Sequence, residues 1–180
     1  ILAGQAASAQ RRLRAILQRR GIRVLEGLPV ERIERGAVRV GETWHHADAI
    51  FVVTEAAAPA WLVDTGLPLD ARGFLAVRDT LQSTGDDTIF AAGDCATMTD
   101  HPRPKAGVFA VRQGPPLADN LRRVLRGEAA RSWVPQARYL SIIGTGDGHA
   151  VATRGAWSVE GRWAWWWKDH IDRRWMRQYR

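Results

Sequence analysis

The stretch TIFAAGDCATM, residues 88–98, decides how this chain is read. Ile89 to Ala92 run without a polar residue into Gly93 and a lone acid, Asp94, and small residues resume at Cys95 and Ala96. A short apolar run bounded by turn residues predicts a strand buried on both faces. At the C-terminal edge of a parallel sheet, the residues just past such a strand face the ligand crevice. Glycine lets a ligand approach the backbone because it has no Cβ. A fixed carboxylate accepts hydrogen bonds from hydroxyls and repels phosphate, so Asp94 is expected at a hydroxyl-bearing part of a ligand. The same residues also allow a plainer arrangement, a turn whose Asp caps a following helix.

On the N-terminal side, FLAVR (74–78) reads as a second strand. Further upstream, Leu13, Ile16 and Leu17 recur at helical spacing among arginines, and Gly21 marks a helix stop. IRVLEG (22–27) reads as a short strand. Residues 29–54 alternate and turn at RGA and VGE, which predicts hairpin pieces, ending in a continuous apolar strand, AIFVVT (49–54). On the C-terminal side, DHPRPKAG is a loop, and VFAVRQGPPLADNLRRVLRG reads as a helix ended by Gly127. Pro115 and Pro116 predict that this helix kinks or restarts. YLSIIGTGDGHAVATRGAWSVEGRW then reads as short antiparallel strands with turns at GTGDG, RG and EG. The expected fold class is α/β, or α+β for a fragment, divided as 1–62, 63–127 and 128–180.

Composition bounds the chemistry. Of 180 residues, 46% are hydrophobic, enough for a core. No apolar run is long enough to span a membrane. A single cysteine, Cys95, excludes an internal disulfide and a cysteine-rich metal site, and fits a reducing, cytoplasmic setting. His45 and His46 are adjacent, so on a strand they face opposite sides and do not chelate one ion; no metal site is expected. Residues 1–99 carry 11 Lys+Arg against 12 Asp+Glu, whereas residues 100–180 carry 15 against 7. The basic half predicts an anionic partner, a lipid surface or nucleic acid, or simply a solvated surface.

The segment 66–98, with Gly73, Phe74, Val77, Leu81, Gln82 and Ser83 before the Gly93-Asp94 pair, resembles the second FAD motif of the two-dinucleotide-domain flavoproteins, the pyridine nucleotide-disulfide oxidoreductase superfamily. HPRPKAGVFAVRQGPPLADNLRRVLRG (101–127) is similar to the following helix in type II NADH dehydrogenase-like proteins, including the module fused to selenide, water dikinase. The resemblance implies incomplete Rossmann-like sheets: 1–62 closing an NAD(P)H domain, 63–127 closing an FAD domain, and 128–180 an antiparallel C-terminal region with a terminal helix. It implies FAD as cofactor and NAD(P)H as co-substrate. Asp94 would hold the ribityl chain among Ala92, Gly93 and Cys95. Lys105, Ala106, Gly107 and Val108 would face the flavin at a helix N-terminus, and Phe109 and Gln113 would line a pocket for a quinone-like acceptor. Two positions depart from the family pattern: Glu55 follows Thr54 where glycine is usual, and Val108 replaces a glutamine. No G-x-G-x-x-G occurs, so the chain is expected to be the C-terminal part of a longer flavoenzyme, with little FAD binding of its own. A non-catalytic membrane- or partner-binding module derived from such a protein is the alternative.

In the tail, GRWAWWWKDHIDRRWMRQYR sets Trp163, Trp166, Trp167 and Ile171 on one helical stripe, with Arg173 and Arg174 on other faces. Tryptophan with arginine suits a membrane interface, which the resemblance also implies, on the cytoplasmic side. Packing of the tryptophans against the FAD domain or a homodimer mate is equally open. No nucleic-acid fold is visible, so nucleic acid is not the expected partner.

Overall fold

Ala9, Leu13 and Ile16 repeat at three- and four-residue intervals and make one buried stripe on α1 (Ala7–Arg19), with arginines on its other faces. The helix stops where Gly21 takes φ +67. The Gly21 amide bonds the Gln18 carbonyl, and the Ile22 amide bonds that of Leu17, the paired closure a left-handed residue permits. The structure, a computed structural model, describes residues 1–179. Two compact units are formed, one from residues 1–51 with 138–180 and one from 52–137.

In the first unit, β6 (Ser141–Gly144), β7 (Ala150–Arg154) and β8 (Trp157–Gly161) form an antiparallel meander with β7 in the centre. Alternation along β7 sorts its side chains. Val151, with Ile143, packs on Ala9, Leu13 and Ile16 of α1. Ala150 and Ala152, with Ile142 and Val159, pack on Ala164 of α3 (Arg162–Met176). A second meander joins β1 (Val30–Glu34), β2 (Ala37–Val40) and β3 (Thr43–His46), with Ala37 opposite Glu34 on one side and His46 on the other. These hairpins follow the sequence expectation, except that EG is no turn: Gly161 leads straight into α3.

Two expected strands do not form. Residues 22–27 and 49–54 have no strand structure, and Phe51 and Val53 are 89% and 92% exposed. An apolar run becomes a doubly buried strand only where neighbours pair with both its edges, and no described strand pairs with either segment.

The second unit is built on β4 (Leu75–Val77) and β5 (Ala96–Met98), which run parallel with Leu75 opposite Ala96 and Val77 opposite Met98. FLAVR is thus a strand, but Ile89–Ala92 is not: this run makes a single bridge, Gln82 to Phe90. The strand follows the Gly-Asp pair instead of preceding it, so Asp94 sits at the start of β5, in the short 3-10 turn Gly93–Cys95. Leu81 fills the core of this unit, fully buried, at φ +66. The left-handed backbone costs a non-glycine residue about 1–2 kcal/mol, and full burial of a leucine is worth about 1.5–3 kcal/mol, so burial wins.

After β5, α2 (Gly107–Leu125) runs through Pro115 and Pro116 as one element, against the expected restart. The prolines remove the donors for the carbonyls of Val111 and Arg112, and both residues are exposed, so water can serve those carbonyls. Gly127 closes α2 with the same bond pair as Gly21.

Leu13→Ala should lower the unfolding free energy by about 2–5 kcal/mol, whereas Arg11→Ala on the exposed face should change it by less than about 0.5 kcal/mol. Urea unfolding of the two variants checks this; equal effects would mean that α1 is not docked through Leu13.

Candidate functional site

The turn at Gly93-Asp94 and the first two turns of α2 meet in one small cleft, whose lining does not include Ala92, Cys95, Ala106, Gly107 or Val108. Gly93, Asp94, Thr97, His101, Lys105, Phe109 and Gln113 are among its walls. Its enclosed space, about 20 Å³, admits roughly one water. It is therefore a recess that one side of a larger ligand would touch.

Gly93 adopts φ +76, and a Cβ there would lie 3.5 Å from that of Ala110, an ordinary contact. The backbone angle, not crowding, is what calls for glycine at this point. The turn is tied to α2 by Gln113. This side chain is 7% exposed, and its Oε1 accepts the Gly93 amide at 2.5 Å. The Asp94 carboxylate is exposed and carries no hydrogen bond or ion pair among the described residues. It caps no helix: α2 begins thirteen residues later, with Ala106 as an N-cap that offers no side-chain oxygen. The Gly107 and Val108 amides have no acceptor among the described residues. Ala92 is extended at the entry to the turn, and the Cys95 thiol donates to the Ala92 carbonyl at 3.3 Å. Phe109 is buried beneath the cleft.

Lys105 is half-buried. Its ammonium donates to the Ala96 carbonyl and, at 2.8 Å, to the Thr97 hydroxyl, and it lies 4.0 Å from the centroid of the Phe74 ring. Burial is the main influence on its pKa and lowers it; the nearby carboxylates of Asp70 and Asp94 oppose the shift without cancelling it. Burial also works against ionisation of Asp70. The Thr97 hydroxyl, the amides of Phe74 and Arg72 and the Lys105 charge together outweigh it and hold this carboxyl below its ordinary value. Sequence reasoning placed Lys105 in the site but missed Asp70, Thr97 and the Phe74 face as its supports. It also missed His101, whose only sequence signal was its place in the loop joining β5 to α2.

Glu55, which departs from the family pattern, has an 89% exposed side chain that meets Arg72 at 3.2 Å. No group of His, Cys, Asp and Glu among the described residues could hold a metal ion. In the other unit, α3 presents Trp163, Trp166 and Trp167 to solvent, with the first and third rings stacked at 6.2 Å. Arg173 is paired with Asp169 at 2.7 Å, and Arg174 is exposed. No described helix is long and apolar enough to cross a membrane.

The fit to a flavin can be judged from these donors and acceptors. An uncommitted carboxylate suits the hydroxyls of a ribityl chain. Two unpaired amides at a helix start, near a half-buried ammonium, suit the electron-rich edge of the ring system. The residues present fit the group.

Comparisons with known proteins bear on the family. The family model described as pyridine nucleotide-disulphide oxidoreductase matches residues 1–114. The NADH dehydrogenase-like protein YutJ of Bacillus subtilis is 26% identical over 126 residues, 69% of this chain and 34% of its own length. A type II NADH:quinone oxidoreductase of Staphylococcus aureus is 32% identical over 66 residues, 34% of this chain and 16% of its own. Among solved structures, an FAD-dependent pyridine nucleotide-disulphide oxidoreductase from Desulfovibrio vulgaris superposes with a TM-score of 0.69 at 25% identity, over 86% of this chain and 40% of that one. The chain thus spans well under half the length of these proteins.

Gln113→Leu should leave the Gly93 amide without its acceptor, at a cost of about 1–3 kcal/mol, while Gln113→Glu should keep the Gly93 amide protected because it keeps an acceptor oxygen, at a desolvation cost for the buried carboxyl. Hydrogen exchange at the Gly93 amide is the direct readout, and unchanged protection in Gln113→Leu would refute the tie.

Proposed function

Because the chain belongs to the pyridine nucleotide-disulphide oxidoreductase family, whose cofactor is FAD and whose co-substrate is NAD(P)H, we propose that it is the C-terminal part of an FAD-dependent NAD(P)H oxidoreductase with a quinone-type acceptor. The observation that carries this reading is the meeting of the free Asp94 carboxylate, Lys105 and the α2 residues Phe109 and Gln113 in one cleft, beside a helix start whose first amides are uncapped. In this reading residues 1–62 close the NAD(P)H domain, 63–127 close the FAD domain, and 128–180 form a C-terminal interface region.

Bound FAD would supply the two-electron relay between nicotinamide and acceptor. The roles of the chain's own residues follow from their chemistry. Asp94 accepts hydrogen bonds from ribityl hydroxyls, with Ala92, Gly93 and Cys95 keeping the passage narrow in side chains. The Gly107 and Val108 amides, with Ala106 setting the extended entry to the helix, offer positive charge where electrons arrive. Lys105 adds its charge from the Thr97 side. Phe109 and Gln113 bound the inner wall, toward the acceptor. The name of the staphylococcal relative supports a quinone as that acceptor. Glu55, turned outward to Arg72, is no obstacle to a dinucleotide at that turn.

The tryptophan and arginine display of α3 supports peripheral attachment to an anionic membrane, on its cytoplasmic face; a homodimer mate is the other cover for the same surface. Co-sedimentation of the full-length protein with anionic vesicles should fall several-fold in Trp163→Ala/Trp166→Ala, and equal sedimentation would point to the dimer.

The decisive experiment is a visible spectrum of the full-length protein. Flavin bands should be present and bleach when NADH is added anaerobically, and Asp94→Ala should retain FAD at least ten-fold less tightly, given about 1.5–3 kcal/mol per bond to a charged group. Absence of flavin after incubation with excess FAD would overturn the reading in favour of a binding module.

A further inference from the structure

One histidine on the wall of the cleft, His101, is paired with a carboxylate, Asp79, that does not itself line it, and the flavin-holding roles above use neither. His101 lies in the loop between β5 and α2 and lines the same recess as Asp94, Lys105 and Gln113. Its Nε2 is 3.7 Å from Oδ2 of Asp79, and both side chains are roughly a quarter to a third exposed. Nδ1 of His101 has no partner among the described residues. Asp79 is held by its backbone. The Trp133 amide donates to the Asp79 carbonyl at 3.0 Å. The next carbonyl, of Thr80, accepts the side-chain amide of Asn120 at 2.9 Å, and Asn120 is fully buried. Oδ1 of Asp79 is buried with no hydrogen-bond partner. The backbone around Asp79 is thus held, its carboxylate has no other partner among the described residues, and one of its oxygens lies within ion-pair distance of an imidazole nitrogen whose ring partner is free.

A carboxylate beside an imidazole that reaches solvent supplies the parts of a proton-transfer group. The other charged groups that line the cleft with His101 are Asp94 from the Gly-Asp turn and Arg103 and Lys105 from its own loop, and the exposed Asp100 precedes it in the chain. Arg103 is engaged by the carbonyls of Gln136 and Pro135, and Lys105 by Ala96 and Thr97. Neither is a free donor to the recess.

We propose that His101, positioned by Asp79, delivers a proton to the quinone-type acceptor, an inference that rests on the oxidoreductase reading above. The balance requires one. NAD(P)H yields two electrons and one proton, and a quinone becomes a quinol by taking two electrons and two protons, so the second proton comes from solvent. In the step assigned here the Nδ1–H bond of the imidazolium breaks and an O–H bond forms on the acceptor. The neutral imidazole then takes a proton back from water.

The test uses the full-length, flavin-loaded protein and separates the half-reactions. With His101→Gln, reoxidation of the NADH-reduced protein by a short-chain ubiquinone should slow at least ten-fold and lose its pH dependence. Reoxidation by ferricyanide, which takes electrons without protons, is the control and should keep its rate. Asp79→Asn should slow the quinone step less and shift its pH profile. Independently of turnover, the ubiquinone should protect His101 from carbethoxylation by diethyl pyrocarbonate, read by peptide mass mapping of the wild-type protein, which covers the case of a variant that does not fold. Wild-type quinone kinetics in His101→Gln, equal loss with ferricyanide, or no protection would each overturn the assignment. Failure of NADH to bleach the wild-type flavin would instead sink the oxidoreductase reading itself.

Discussion

The buried carboxamide of Gln113 accepts the amide of Gly93, and the site's geometry follows from that one bond. It joins two segments that differ in stiffness. α2 is a long helix closed by Gly127, whereas the Gly93–Cys95 turn has no regular neighbours on its N-terminal side. By holding the turn at φ +76 against the second turn of the helix, Gln113 fixes where Asp94 projects relative to the free amides of Gly107 and Val108. A buried amide with no acceptor costs more than a typical hydrogen bond gains, so the turn has little freedom to leave the helix.

A second constraint is electrostatic. Lys105 and Asp70 are both partly withdrawn from water, and each is held by Thr97. Such a pair costs desolvation and recovers it only when its hydrogen bonds are complete. The Phe74 ring closes one side of the ammonium. β4 and β5 are only three residues long each, yet their ends are pinned by this cluster at one side and by Leu81 at the other.

How much of this was legible in the sequence differs by element. Helix α1, the two meanders and the start and stop of α2 follow from periodicity and from Gly21, Gly36 and Gly127, because each is settled by contacts near in sequence. The runs 22–27, 49–54 and 89–92 have the composition of parallel strands, but such strands depend on neighbours distant in the chain. Without a described partner, apolar character alone does not order them, and the strand moved to the far side of Asp94. The carboxylate itself was recognisable from its motif. The Gln113–Gly93 tie and the Asp79–His101 pair were not, because both join residues about twenty apart through a loop whose path no local rule dictates.

The tryptophans of α3 draw the eye, but the helix is seated by methyl groups: Ala164 rests on Ala150 and Ala152, all fully buried. Three small side chains set how closely helix and sheet approach, and an added methylene at any of them would lift the whole element. Of the tryptophans on the outer face, Trp163 packs beside Gly161 and stacks on Trp167, whereas Trp166 is the most exposed. Drift in sequence would therefore be tolerated at the large, exposed Trp166 as far as folding is concerned, and refused at the small positions. Persistence of Trp166 among close relatives would then be a mark of what the surface touches, since it is the tryptophan of this face with the least to do in the fold.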